Sequence, residues 1–381
     1  MTPVTNNSES SSQATDKKYI TPGMPELKDS TKKLSFYEFW PTWLVYIPVA
    51  IQWLLLSVRY RSLTLPLIAN PRLPLSGMVG VGKSELFEQA QAKCAQQILT
   101  WFTHTRDSRD LNQQVLEIES QMHERQLTYP IVAKPDIGCR GIGVKLVHNR
   151  DQLAQCLICY PNHSKLLLQR LSSFQAEAGV FFVRDPRQQQ GRIISMALKY
   201  TPFVVGDGIS SLAQLVAQDA RASQLTHLYQ QRHAANWNSI IAKDEPYRLV
   251  FSASHSKGAI FTDAKDLVTE QLNQALNEIM QGLPEFHYGR LDIKFKNIDA
   301  LKRGEQLEIV EINSASSESL HIWDSSTPFK EAMRALLYQY RLLFKFGDYQ
   351  RQQGHKPPGL SKLLQHWRKE RELSRHYPLT D

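Results

Sequence analysis

Apolar and polar positions alternate differently along the chain, and the changes of period mark its elements. Residues 1–35 are rich in Ser, Thr, Asn and Gln with little apolar pattern, which predicts a disordered polar tail. A run of 20 residues, 39–58, then carries no charge. That length just suffices to cross the hydrocarbon layer of a membrane. Trp40, Trp43 and Tyr60 sit near its ends, and Arg59 and Arg61 follow it, an arrangement that suits an interface. Pro41, Pro48 and Gln52 argue against a straight span. A crossing helix, a helix lying in the membrane plane and a buried helix of a globular domain all stay open. Helical periodicity predicts helices over 84–102, 111–125, 153–159, 266–282 and 360–371, and short apolar runs predict strands over 129–135, 144–147, 165–171 and 179–183.

Two period-2 stretches near the C-terminal third carry acids on one face. Leu291 and Ile293 alternate around Asp292, and Leu307, Ile309 and Val310 lead into Glu311 and Asn313. Lys302, Arg303 and Gly304 read as a polar turn between them. Such a hairpin sets Asp292 beside Glu311 and Asn313, with Arg290 near the same face. Two carboxylates and a carboxamide make an all-oxygen donor set of the kind that suits Mg²⁺ with phosphate oxygens. The plainer reading is a set of surface acids on separate strands.

Composition changes this picture little. The chain has 381 residues, 42% hydrophobic and 22% charged, enough for two or three ordinary globular domains. Its net charge of +8 is spread along the chain and reaches into a basic C-terminal stretch, which favours anionic lipid or nucleotide phosphate, and no nucleic-acid-reading motif is present. Cys94, Cys139, Cys156 and Cys159 lack zinc spacing or a disulfide framework and read as buried thiols. Gly77–Ser84 matches the phosphate-binding P-loop pattern G-x-x-x-x-G-K-[ST]. Pro71 and Pro74 exclude the buried strand which that motif needs before it. A glycine turn in which Ser84 or its neighbours cap the next helix is the better reading, and an electrostatic role for Lys83 stays open.

A second glycine-rich turn, Gly138-Cys139-Arg140-Gly141-Ile142-Gly143, separates two strands, with Lys134 at the end of the first. Glycine amides and one lysine can hold phosphates, although a hairpin loop has the same composition. Ile-Val-Ala-Lys134-Pro with this turn resembles the phosphate-binding segment of the ATP-grasp superfamily. Leu166–Leu171 is similar to its adenine-holding strand, and Arg290-Leu-Asp292 with Glu311-Ile-Asn313 to the metal-binding end of D-alanine–D-alanine-ligase-like members. Residues 201–215, TPFVVGDGISSLAQL, resemble a stretch of cyanophycin-synthetase-like ligases.

The resemblance covers roughly residues 110–345. It implies an α+β ATP-grasp fold, two lobes with antiparallel sheets gripping ATP, within an organisation of tail 1–35, hydrophobic membrane-associated segment 36–75, helical region 76–110, ATP-grasp domain 111–345 and basic tail 346–381. It implies ATP contacts from Lys134, Gly138, Arg140, Gly141, Gly143, Gln169, Arg170 and Leu171, and a pair of Mg²⁺ ions on Asp292, Glu311 and Asn313. Arg290 and Lys199 are then the catalytic cations. The implied reaction is a carboxylate–amine or carboxylate–thiol ligation through an acyl phosphate, at the cytoplasmic face of a membrane. The alternatives are a kinase stopping at a phosphorylated product, a nucleotide-binding protein without turnover, or a P-loop ATPase dependent on Lys83. Two departures bear on substrate: Gln169-Arg170 stands where many members place an acid, and Ser314–Ser319 replaces the Thr-x-Pro-Gly of dipeptide ligases. Glu177 and Arg184 line an acceptor pocket or form a surface ion pair. His255 and Lys257 reach phosphate or sit in a solvated loop. Glu318 and His321 recognise substrate or serve structure.

Overall fold

The computed structural model describes residues 19–27, 40–138, 141–252, 254 and 257–381. In chain order come α1 (Thr42–Val45), α2 (Ile47–Arg59), α3 (Lys83–Phe87), α4 (Ala92–Gln97), β1 (Trp101–Thr105), α5 (Leu111–Glu124), β2 (Ile131–Pro135), β3 (Lys145–Val147), α6 (Arg150–Cys159) and β4 (Lys165–Arg170). There follow β5 (Ala176–Val183), β6 (Arg192–Tyr200), β7 (Phe203–Val205), α7 (Leu212–Gln218), α8 (Thr226–Arg232), β8 (Pro246–Arg248) and β9 (Ile260–Asp263). The chain closes with α9 (Glu270–Gln281), β10 (Tyr288–Phe295), α10 (Ile298–Arg303), β11 (Leu307–Asn313), α11 (Phe329–Gln352) and α12 (Leu360–Arg375). Among the described residues the strands form three antiparallel sheets, so the class is α+β.

The first sheet runs β1-β4-β2-β3. One face packs under α5 and α6 through Val115, Ile118, Leu153 and Leu157 against Ile131, Ala133, Leu166 and Leu168. Period 2 then turns Val132, Lys134 and Gln169 to the opposite face. Asp110 and Asn149 cap the two helices, accepting from the amides of Gln113 and Gln152.

The second sheet runs β11-β10-β5-β6-β9. Its core face carries Leu291, Ile293 and Phe295 against Leu272, Leu276 and Ile279 of α9. A smaller unit, β7 and β8 with α7 and α8, has a separate core around Leu212, Val216 and Tyr229.

Three expectations change here. The helix expected over 84–102 is two short helices and a strand. Gln91 is extended and its amide donates to the Gly282 carbonyl at 2.7 Å, after which Trp101–Thr105 pairs with β4. The polar turn expected around Lys302–Gly304 is helix α10, capped by Asn297 and ended by Gly304 at φ 69°, the left-handed conformation that glycine tolerates. The apolar stretch 39–58 forms α1 and α2, and α2 has 13 residues. Pro48 sits in its first turn, where a missing amide costs nothing. Val45 and Val49 pack on Ala332 and Leu336 of α11, Trp53 meets Tyr340 and Phe344 edge-on, and Gln52 Nε2 donates to the Leu337 carbonyl at 2.7 Å. Among the described residues no helix is long and apolar enough to cross a membrane.

Candidate functional site

The polar faces of the two large sheets enclose a cavity of about 1030 Å³, at the upper end of the range for small-molecule sites. On the second sheet, Arg290, Asp292 and Lys294 project from alternate positions of β10 into this space. Asp292 pairs directly with Glu311 and Arg290 with Asn313, as the two alternating sequence stretches predict. The ladder slips between Asp292 and Ile293, which leaves Val310 as an extra residue on β11. A bulge resets the alternation. Leu307 and Ile309 are buried before it and Ile312 after it, so Glu311 and Asn313 face the cavity. Gly179 lies opposite Asp292 on β5, and a Cβ there would meet Leu320 Cδ1 at 2.5 Å and Arg290 Cδ at 3.3 Å.

Asp292 is held by cations. Arg290 donates to it through Nε at 2.8 Å and Nη2 at 3.3 Å, and Lys199 Nζ lies 3.5 Å away. Burial alone would raise this carboxyl, but Arg290 and Lys199 prevail and hold it below its ordinary range. Lys199 also pairs with Glu177, and Lys294 Nζ lies 2.8 Å from the same carboxylate. Burial would lower Lys199, yet Asp292 and Glu177 leave it raised. Burial would likewise lower the half-buried Arg290, yet Asp292 leaves it raised, and its Nη1 donates to the Glu318 carbonyl at 3.2 Å. Glu311 has a looser partner, Lys83 Nζ at 3.7 Å. The buried Asn313 Nδ2 has no hydrogen-bond partner among the described residues.

On the first sheet, Lys134 Nζ donates to Gln169 Oε1 at 2.8 Å and crosses to the second sheet to donate to the Val310 carbonyl at 3.1 Å. Burial lowers its ammonium to about 8, against the pull of Glu311. Gly138 and Gly141 line the same cavity, Gly141 with φ of 66°, whereas Gly143, with φ of 72°, is not part of its lining. Arg140 and Cys139, expected in this turn, lie outside the described residues. Lys257 Nζ donates to the Gly141 carbonyl at 2.7 Å, which gives that lysine a part in holding the turn; His255 lies outside the described residues. Gln169, Arg170 and Leu171 line the far end. Arg170 Nη2 donates to Glu308 Oε1 at 2.7 Å, so an acid from β11 stands beside this strand.

Residues 77–83 form a cavity wall, but among the described residues no strand precedes them, and Leu75 and Ser76 take positive φ. The amides therefore lack the strand–helix frame of a P-loop. Lys83 Nζ donates to the carbonyls of Gly138 at 2.9 Å and Pro135 at 3.2 Å, tying the two glycine turns together. The cap expected from Ser84 or a neighbour is Gly82, and the amide and hydroxyl of Ser84 donate to the buried Asp136 carboxylate at 2.7 and 2.9 Å.

Of the remaining candidates, Glu177 and Glu318 line the cavity, while Arg184 and His321 do not. The Glu177–Arg184 ion pair does not form, because Arg184 donates to the carbonyls of Leu283 and Phe286. His321 Nδ1 lies 2.7 Å from Ser195 Oγ. Cys94 and Cys156 are buried, whereas Cys159 is exposed at the end of α6 and departs from the buried-thiol reading. Sequence reasoning missed Lys294 and Arg248, both on the cavity wall. Lys294 follows Asp292 by two positions, so the alternation carries a signal for it. Arg248 has none.

No protein-family model matches the chain, and no curated protein does. Its structure is similar to a D-alanine–D-alanine ligase from Bacillus anthracis (14% identity, TM-score 0.40, covering 74% of this chain and 72% of that one). It is similar to a D-alanine–D-alanine ligase from Coxiella burnetii (9%, 0.38, 79% and 64%). It is also similar to a bifunctional glutathione synthetase from Pasteurella multocida (17%, 0.34, 68% of this chain), of which it spans only 35%. Likeness at this level leaves the chemistry to the side chains.

The donor set fits Mg²⁺. Glu311 keeps free oxygens, Asn313 brings an amide, and the Asp292 carboxylate has further lone pairs beyond its bonds to Arg290. Among the described residues no group of three or more His, Cys, Asp or Glu gathers as a metal site.

Proposed function

We propose that this protein is an ATP- and Mg²⁺-dependent ligase of the ATP-grasp superfamily that joins a carboxylate to an amine or thiol. The observation that carries the reading is the convergence of Lys134 and the glycine turn of one sheet on the Arg290–Asp292 and Glu311–Asn313 pairs of the other, across one cavity. The resemblance of four motifs in matching order supports it.

In this reading, Lys134 and the amides of the Gly138–Gly143 turn hold the ATP phosphates, and the chain around Gln169–Leu171 holds adenine. Asp292, Glu311 and Asn313 hold Mg²⁺, which when bound neutralises phosphate charge. A carboxylate oxygen of the substrate attacks the γ-phosphorus, and the bond to the β-phosphate oxygen breaks to release ADP. Arg290, kept charged by Asp292, and Lys199, kept charged by Asp292 and Glu177, stabilise the anionic transition state. The amine or thiol then attacks the acyl carbon, inorganic phosphate leaves, and the nucleophile gives up a proton.

The test is release of ADP and phosphate that depends on an added carboxylate and acceptor. A Glu311→Gln, Asn313→Ala double variant is expected to lose at least about a hundredfold in kcat, the scale of removing preorganised charge stabilisation. Turnover at the wild-type rate in that variant overturns the reading.

A further inference from the structure

Helix α2 has two apolar faces, and only one is covered. Val49 is buried against α11, and Trp53 and Leu56 pack around Phe344. The opposite face carries Ile47, Ile51, Leu54, Leu55 and Val58, which are 42%, 55%, 61%, 67% and 78% exposed. These positions follow one another at helical spacing, so they form a single stripe. Trp43, just before the helix, is 68% exposed. A stripe of this kind on a folded protein marks a partner or a membrane.

Its charges select the occupant. The sequence has no acid between Glu38 and Lys83. Arg59 and Arg61, both exposed, stand at the C-terminal end of the stripe, and Trp43 stands at the other. Cations at one end of an apolar strip and tryptophan at the other match an anionic lipid surface. At 13 residues the helix is about 20 Å long, too short for a hydrocarbon layer of about 30 Å, and its other face is already bonded to α11. It can therefore lie in the interface but not cross it.

We propose that the exposed face of α2 docks flat on an anionic bilayer. Tyr46, the residue that starts this helix, lines the cavity and donates its hydroxyl to Glu318. Docking through α2 consequently sets that wall of the cavity beside the lipid head groups.

The experiment is vesicle flotation of the full chain with phosphatidylcholine alone and with phosphatidylcholine containing phosphatidylglycerol. Wild type is expected to float with the anionic vesicles and to stay behind with the neutral ones. Leu54→Glu, Leu55→Glu is expected to lower the bound fraction on the order of tenfold or more, and Arg59→Glu, Arg61→Glu by roughly fivefold for each arginine at low salt. Unchanged circular dichroism and thermal unfolding midpoint in both variants show that the fold survives. Equal flotation of Leu54→Glu, Leu55→Glu and wild type overturns the proposal, as does wild type failing to float. A wild-type dimer that this variant converts to a monomer, with no flotation, assigns the face to a second copy instead and overturns the proposal too. None of these readouts depends on the ligase reaction, so the docking and the proposed function fail independently.

Discussion

Lys134 is the residue on which the proposed nucleotide site turns. Its ammonium is the form that attracts phosphate, and burial brings its pKa to about 8. A lowered lysine pKa means that charge is lost as pH rises through about 8, well below the usual lysine range. Mg²⁺–ATP affinity is therefore expected to fall above about pH 8, and the part of the fall due to this ammonium disappears in Lys134→Arg; titration calorimetry across pH 7 to 9 checks it. Lys134→Ala is expected to abolish Mg²⁺–ATP binding, while Lys83→Ala, which loses carbonyl contacts to the glycine turn and a 3.7 Å approach to Glu311, weakens it less. The reverse order in equilibrium binding would restore the P-loop reading. Much of this site was legible, because period 2 in β10 places Arg290 and Asp292 on one face whatever lies around them. Glu177 and Lys257 were visible only as alternatives, and Arg248 not at all. Glu177 and Arg248 reach the cavity from separate strands, Lys257 reaches the glycine turn from a loop, and no spacing along the chain records those approaches.

Among elements, the least legible were those whose partners lie far away in sequence. Trp101–Thr105 follows a helix directly and has only five residues, so nothing local separates it from that helix; pairing with β4 decides it. Lys302–Gly304 looks like a turn because a six-residue helix ends there in the same glycine that a turn would use. The N-terminus of α3 likewise depends on a distant residue. Asp136, on the loop after β2, accepts the Ser84 amide and hydroxyl and lies 3.6 Å from Lys165 Nζ. Asp136→Ala leaves these donors without their acceptor and is expected to destabilise by about 2 kcal/mol, measurable by urea denaturation. Asp136→Asn, which keeps an acceptor oxygen, is expected to lose less.

Across the whole molecule, the segment after α12 works as a clasp. Tyr377 donates its hydroxyl to the Ile137 carbonyl at 2.9 Å, and the Asp381 carboxylate accepts from the Leu146 amide at 2.8 Å and pairs with Lys145 at 2.6 Å. Arg232 of the small unit donates to the Thr380 carbonyl at 2.7 Å, and Lys257 joins Thr380 to Gly141. The basic C-terminal region thus reaches back onto the glycine turn, which its composition gave no reason to expect. Tyr377→Phe combined with Asp381→Ala is expected to speed proteolytic cleavage near residues 138–143 while the core resists digestion; equal cleavage rates would show that the clasp carries no restraint.

The bond from Lys134 to the Val310 carbonyl has a consequence for energetics. It is a direct tie between the two large sheets, and it is made by the cation that the proposed function assigns to an incoming phosphate. A ligand that takes the ammonium releases the tie. Ligand occupancy and the relative freedom of the two sheets are then linked quantities: whatever pulls the sheets apart without breaking their folds makes Lys134 more available, and whatever captures Lys134 lowers the work of separating them. A measured nucleotide affinity is accordingly a difference between two claims on one ammonium, the ligand's and the bulge's.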